Sequence, residues 1–62
     1  MDQTRIDAVT HECLEACYQS LQPLNCLTNY ADWLRADPGW QENEIQEFER
    51  TAKRMLYDLL DA

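Results

Sequence analysis

Apolar residues recur near the C-terminal end at Ile45, Phe48, Ala52, Met55 and Leu59, with Leu56 and Leu60 on the flank. Gaps of three, four, three and four residues trace one face of an α-helix and match a heptad seam. The polar positions between them have an order of their own. Glu42, Glu44, Glu47 and Glu49 come first, and Arg50, Lys53 and Arg54 follow. That order suits the helix dipole, and Glu49 to Lys53 is a favourable i,i+4 pair. The pattern predicts a helix over about 40–60.

A second run has the same period. Ile6, Val9, Cys13, Ala16, Cys17, Ser20 and Leu21 share one side of a helical wheel, and Asp7, His11, Glu15, Tyr18 and Gln19 lie opposite. Thr4 followed by Asp7 reads as a capping pair at its start. Pro23, which lacks an N–H and restricts its predecessor, sets its end. The predicted helix is therefore 4–22. Pro23 then opens a helix over 23–36. Its apolar face, Leu24, Leu27, Ala31 and Leu34 widened by Cys26, Tyr30 and Trp33, covers nearly half the circumference. A face that wide predicts two neighbours rather than one. Asp37-Pro38-Gly39-Trp40 is the break before the last helix. No segment alternates with period two, so no strand is expected.

These elements predict an all-α protein, a three-helix antiparallel bundle of long–short–long pattern in one domain over residues 1–62. The first and third helices are expected to pack antiparallel, with the second tucked across them. At 62 residues the chain buries roughly 60% of its unfolded surface, and one such core supplies ~3–5 kcal/mol. The summed apolar stripes exceed what one three-helix unit can cover. A homodimer around the third or second helix is therefore expected, with Ile45, Phe48, Ala52, Met55, Leu56 and Leu59 as its core and seam.

Composition narrows the function classes. Twelve Asp and Glu against five Lys and Arg give a net charge of −7. That opposes direct contact with nucleic acid, which relies on cations neutralising phosphates. It opposes anionic membranes as well. It favours a protein partner with a basic surface. A helix-turn-helix reading fails for the same reason, because the turns that should enter a groove hold four glutamates. Three cysteines are an odd number, the opening MDQTRID has no apolar run, and no stretch approaches ~18 apolar residues. The expectation is a reducing, cytoplasmic setting without a disulfide framework or membrane span.

Candidate chemistry is sparse. Cys13 and Cys17 share a helix face, and soft metals prefer thiolates. With His11, the run HECLEAC resembles cysteine-rich four-helix copper-storage proteins over about seven residues. Those chains repeat many more cysteines. Cys13, Cys17 and Cys26 form the alternative metal or thiol set, with copper or zinc as the ion. Zinc would need a fourth ligand, and His11 projects from the far side. The Cys13–Cys17 spacing has one residue too many for an oxidoreductase motif and sits mid-helix. No Glu stands three residues before His11, as a ferritin-like di-iron site needs. No catalytic residue or cofactor is assigned.

Aromatics and acids remain. Trp33 and Trp40 flank the break, where they either lid the bundle or anchor a partner. Tyr57 sits on the polar face of the last helix. Trp33, Trp40, Glu42, Glu44, Glu47 and Tyr57 are the candidate partner-binding residues. The expected function is that of a small acidic, non-enzymatic adaptor or inhibitor, or a nucleic-acid-charge mimic. A structural subunit of a larger assembly fits the same features.

Overall fold

The computed structural model describes residues 3–61. Three helices make up most of that span: α1 (Gln3–Tyr18), α2 (Pro23–Arg35) and α3 (Glu42–Asp61). No strand occurs among the described residues. The radius of gyration is 11.1 Å, close to the roughly 10.6 Å of a closed globule of this length.

α1 departs from its predicted bounds at both ends. It already includes Gln3 and Thr4, so Thr4 does not cap it. Asp7 instead accepts a bond from Gln3 Nε2 at 3.0 Å. The helix stops at Tyr18 rather than at Gln22. The chain must reverse before Pro23, and residues 19–22 are spent on that turn. Ser20 N–H donates to Cys17 O at 3.0 Å, and Gln22 N–H donates to Ser20 Oγ at 3.2 Å. The buried face is also rotated. Ile6, Val9, Thr10, Cys13, Leu14 and Cys17 are buried, whereas Ala16 faces solvent. Thr10 is tolerated inside because its hydroxyl donates to Ile6 O at 2.7 Å.

α2 begins at Pro23 as expected, and Gln22 O accepts the first helical bond from Cys26 N–H at 3.1 Å. It ends at Arg35, one residue early, with Ala36 as its cap. α2 packs against both other helices, which accounts for its wide apolar face. The break after it is an Asx turn: Gly39 N–H donates to Asp37 Oδ1 at 2.9 Å, and Trp40 N–H to Asp37 O at 3.1 Å.

α3 starts at Glu42, not at Trp40, because Gln41 is its N-cap. Gln41 O accepts from Ile45 N–H at 3.1 Å, and Glu44 Oε1 accepts from Gln41 N–H at 3.1 Å. This is the back-bonding half of a capping box. At about 1.5 Å per residue α3 runs for roughly 30 Å, nearly the 33 Å long axis of the molecule.

α1 and α3 run parallel, not antiparallel. Arg5, near the start of α1, donates to Gly39 O just before α3 and stacks 3.9 Å above the Trp40 ring. At the other end Leu59 of α3 shares a hollow with Leu14 and Tyr18 of α1. Two short turns reverse the chain twice, which brings the third helix back into the first one's direction.

The core closes within one chain. Ile6, Val9, Cys13, Leu14 and Cys17 from α1 meet Leu27, Ala31 and Leu34 from α2 and Ile45, Phe48, Ala52 and Leu56 from α3. Cys26, Tyr30 and Trp40 pack on its margin. The stripes exceed that core at two places, around Leu21, Leu24 and Trp33 and near the end of α3. Met55, Leu59 and Leu60 keep 44%, 46% and 54% of their surface exposed.

Candidate functional site

Several predicted partner-binding residues serve the fold instead. Glu44 is buried and caps α3, so it offers no carboxylate to a partner. Glu42 takes the Arg35 guanidinium from α2 through contacts of 3.1 and 3.2 Å. The same guanidinium reaches Glu49 Oε1 at 2.6 Å, so Glu49 turns to α2 and not to Lys53. Those carboxylates raise the Arg35 pKa further, and hydrogen bonding to Arg35 holds Glu42 below its ordinary range. Trp40 is half-buried under Arg5. Glu47 is half-buried, 3.5 Å from Arg50. Of the six, Trp33, Glu42 and Tyr57 are exposed, Glu42 while paired with Arg35. Of the predicted seam, Ile45, Phe48, Ala52 and Leu56 are core, while Met55 and Leu59 face outward.

Trp33 has the more developed surroundings. It projects from α2 with 66% of its surface exposed. Its ring is nonetheless braced: Tyr30 meets it edge-on at 6.0 Å and 73°. Tyr30 in turn lies 6.4 Å from the core ring of Phe48. Burial, with the Glu12 carboxylate of α1 nearby, raises the Tyr30 pKa, so the phenol stays protonated. Beside these rings runs an open groove of about 850 Å³, lined by Ser20, Leu21, Gln22, Asn25, Cys26, Asn29, Tyr30 and Trp33. Leu21 stands at its rim fully exposed. Apolar anchors beside uncharged amides match the composition of interface centres, where charge is depleted and aromatics are enriched.

The groove was only partly foreseeable. Trp33 was a candidate from its residue type. Leu21 and Tyr30 carry helical spacing, which points both inward. The early end of α1 is what turns Leu21 outward.

Two of the cysteines pack thiol to thiol. Cys13 Sγ lies 3.7 Å from Cys17 Sγ, and Cys26 of α2 packs at the margin of the same core. All three are free. Burial pushes the Cys13 and Cys17 thiols up, which makes them poor nucleophiles and poor ligands. Among the described residues no three His, Cys, Asp or Glu side chains are arranged to hold a metal ion. In the alternative set, Cys13 and Cys17 are in contact, and with Cys26 they do not form a ligand sphere. His11 is exposed on α1, 3.0 Å from Glu15 Oε1. Among the described residues no helix is long and apolar enough to cross a membrane. Comparison with protein-family models, curated proteins and solved structures finds no match.

Proposed function

We propose that this chain is a small acidic, non-enzymatic interaction protein, an adaptor or inhibitor that acts by covering part of a partner's surface. The observation that carries this reading is Trp33: a large indole, mostly exposed, yet packed edge-on against Tyr30, which lies in turn beside Phe48. A pre-braced aromatic loses little conformational freedom on binding, which is why such residues dominate interface energetics. The net charge of −7 supports a partner with a basic surface, reached by electrostatic steering. The free thiols support a reducing, cytoplasmic setting.

The test is capture of partners from the native host by the tagged chain, with Trp33→Ala alongside. The reading expects a partner held by the parent and weakened by about 2 kcal/mol, roughly thirty-fold, in the variant at an unchanged melting temperature. It also expects a shallow salt dependence. A partner captured equally by both proteins contradicts the site. A steep salt dependence with no Trp33 effect favours nucleic-acid-charge mimicry.

Homodimerisation through the end of α3 is the second reading, favoured by the half-exposed Met55, Leu59 and Leu60. Two copies oppose −7 to −7, so any such dimer should tighten with salt. Sedimentation at low and high ionic strength distinguishes it.

A further inference from the structure

The two tryptophans have different surroundings. Trp40 is half-buried, and the Arg5 guanidinium lies 3.9 Å above its ring while donating to Gly39 O. The molecule thus already holds one arginine between an indole face and a neutral carbonyl oxygen. Trp33 is 66% exposed, with Tyr30 packed against it, and among the described residues no Lys or Arg lies over it. Neutral oxygens stand near it as well. Asn29 is one helical turn before Trp33, about 6 Å along the axis, and makes no hydrogen bond among the described residues. Asn25, a further turn back, gives its Nδ2 to Gln22 Oε1, which leaves its Oδ1 as an acceptor. Both asparagines line the same groove as Trp33.

Charge at this groove suits a cation. None of its lining residues is charged, so none repels one. The Glu12 carboxylate lies near the Tyr30 phenol, and no salt bridge engages it among the described residues. The base nearest to Trp33 in sequence, Arg35, is held by Asp32, Glu42 and Glu49. The chain as a whole carries −7. An indole face attracts cations through its quadrupole, and more strongly once water is excluded.

Taking Trp33 as the partner anchor proposed above, we infer that its groove receives an arginine side chain of the partner protein. The planar guanidinium lies flat on the indole, as Arg5 does on Trp40. Its in-plane N–H groups donate to the Asn25 and Asn29 amide oxygens, with the Glu12 carboxylate nearby. Lysine fits less well, because its compact ammonium is strongly hydrated and no lining carboxylate replaces that water. An apolar side chain would cover the amides and leave them unpaired. A second copy offers Arg50 and Arg54, but it brings −7 toward −7.

The probe is a short glycine–serine peptide with blocked ends and one arginine, titrated into the ¹⁵N-labelled full chain. The control carries citrulline, which has the shape of arginine without its charge. The expected result is shifts concentrated in the Trp33 indole N–H, the two asparagine side-chain amides and residues 20–33, with the citrulline peptide about tenfold weaker. Trp33→Leu, which keeps an apolar side chain, should weaken the arginine peptide about tenfold, and Glu12→Gln about threefold. Both positions are exposed, so the melting temperature should hold in each variant. Equal binding of the arginine and citrulline peptides would overturn the inference, as would shifts centred on Trp40 or spread along the acids of α1 and α3. If a captured partner is still lost on Trp33→Ala in that case, the anchor stands and only its occupant changes. A free protein that sediments as a dimer dissociated by Arg50→Gln/Arg54→Gln would put a second copy in the groove and overturn it too.

Discussion

Glu44 and Trp33 show how residue type and residue role part company. Four glutamates between positions 42 and 49 read as one acidic face, but one of them is buried at a helix start. Glu44→Ala removes the bond to Gln41 N–H and should cost about 1 kcal/mol. That corresponds to a drop of roughly 4–8 °C in melting temperature for a chain of this size. Glu44→Gln keeps an acceptor oxygen and should lose less. Cysteine behaviour is the second prediction at this scale. The half-buried Cys26 should react with a thiol reagent in the folded protein, while Cys13 and Cys17 should react only after unfolding. Burial raises both inner thiols above their ordinary value of 9.0. Their contribution to stability is thus whole below about pH 9, where thiols of the unfolded chain are protonated too. It is lost as pH rises further, because the unfolded chain then releases those protons more readily. Thermal melts should fall above pH 9, with a flatter decline in Cys13→Ala/Cys17→Ala.

Among the elements, the helices were legible in the sequence and their ends were not. Periodicity identified α2 and α3 to within about two residues, because Pro23 and the Asp37–Gly39 turn are strong local signals. It overran α1 by four residues, since Ser20 and Leu21 continue the apolar spacing past the true end. What stopped α1 is the need to reverse direction before Pro23, a requirement of the packed hairpin and not of local composition. The α2–α3 seam shows the same limit. Arg35 and Glu49 are 14 positions apart, and no local rule pairs them. The Glu42 carboxyl is held below its ordinary value of 4.5 by Arg35. That contribution is present above about pH 4.5 and is lost as pH falls. Glu42→Gln should therefore flatten the acid limb of a stability–pH profile, and added salt should do so partly in the parent. Exposed ion pairs of this kind are screened, so the effect should be small beside core changes.

For the whole molecule, the decisive fact is that twelve apolar residues close a core inside one chain. The expectation of a second subunit counted Met55 and Leu59 among the buried residues, and the parallel packing of α1 and α3 leaves both about half exposed. Phe48→Ala should cost ~3–5 kcal/mol, as large as the whole stability expected of such a core, and should leave the chain unfolded by circular dichroism. The candidate site was half legible. Trp33 could be picked out by type, but its bracing by Tyr30 and the loss of Glu42, Glu44 and Trp40 to internal work depend on contacts between helices. The molecule divides its aromatic and acidic residues between contacts that hold three helices together and surfaces left open to solvent.

That division is tested most directly by the fluorescence of Trp33 alone, read in a Trp40→Phe variant before and after addition of a captured partner. The free protein should emit as a water-exposed indole, and the emission should move to shorter wavelength as the partner covers the ring. An emission that stays unchanged through saturating addition of that partner would contradict the account.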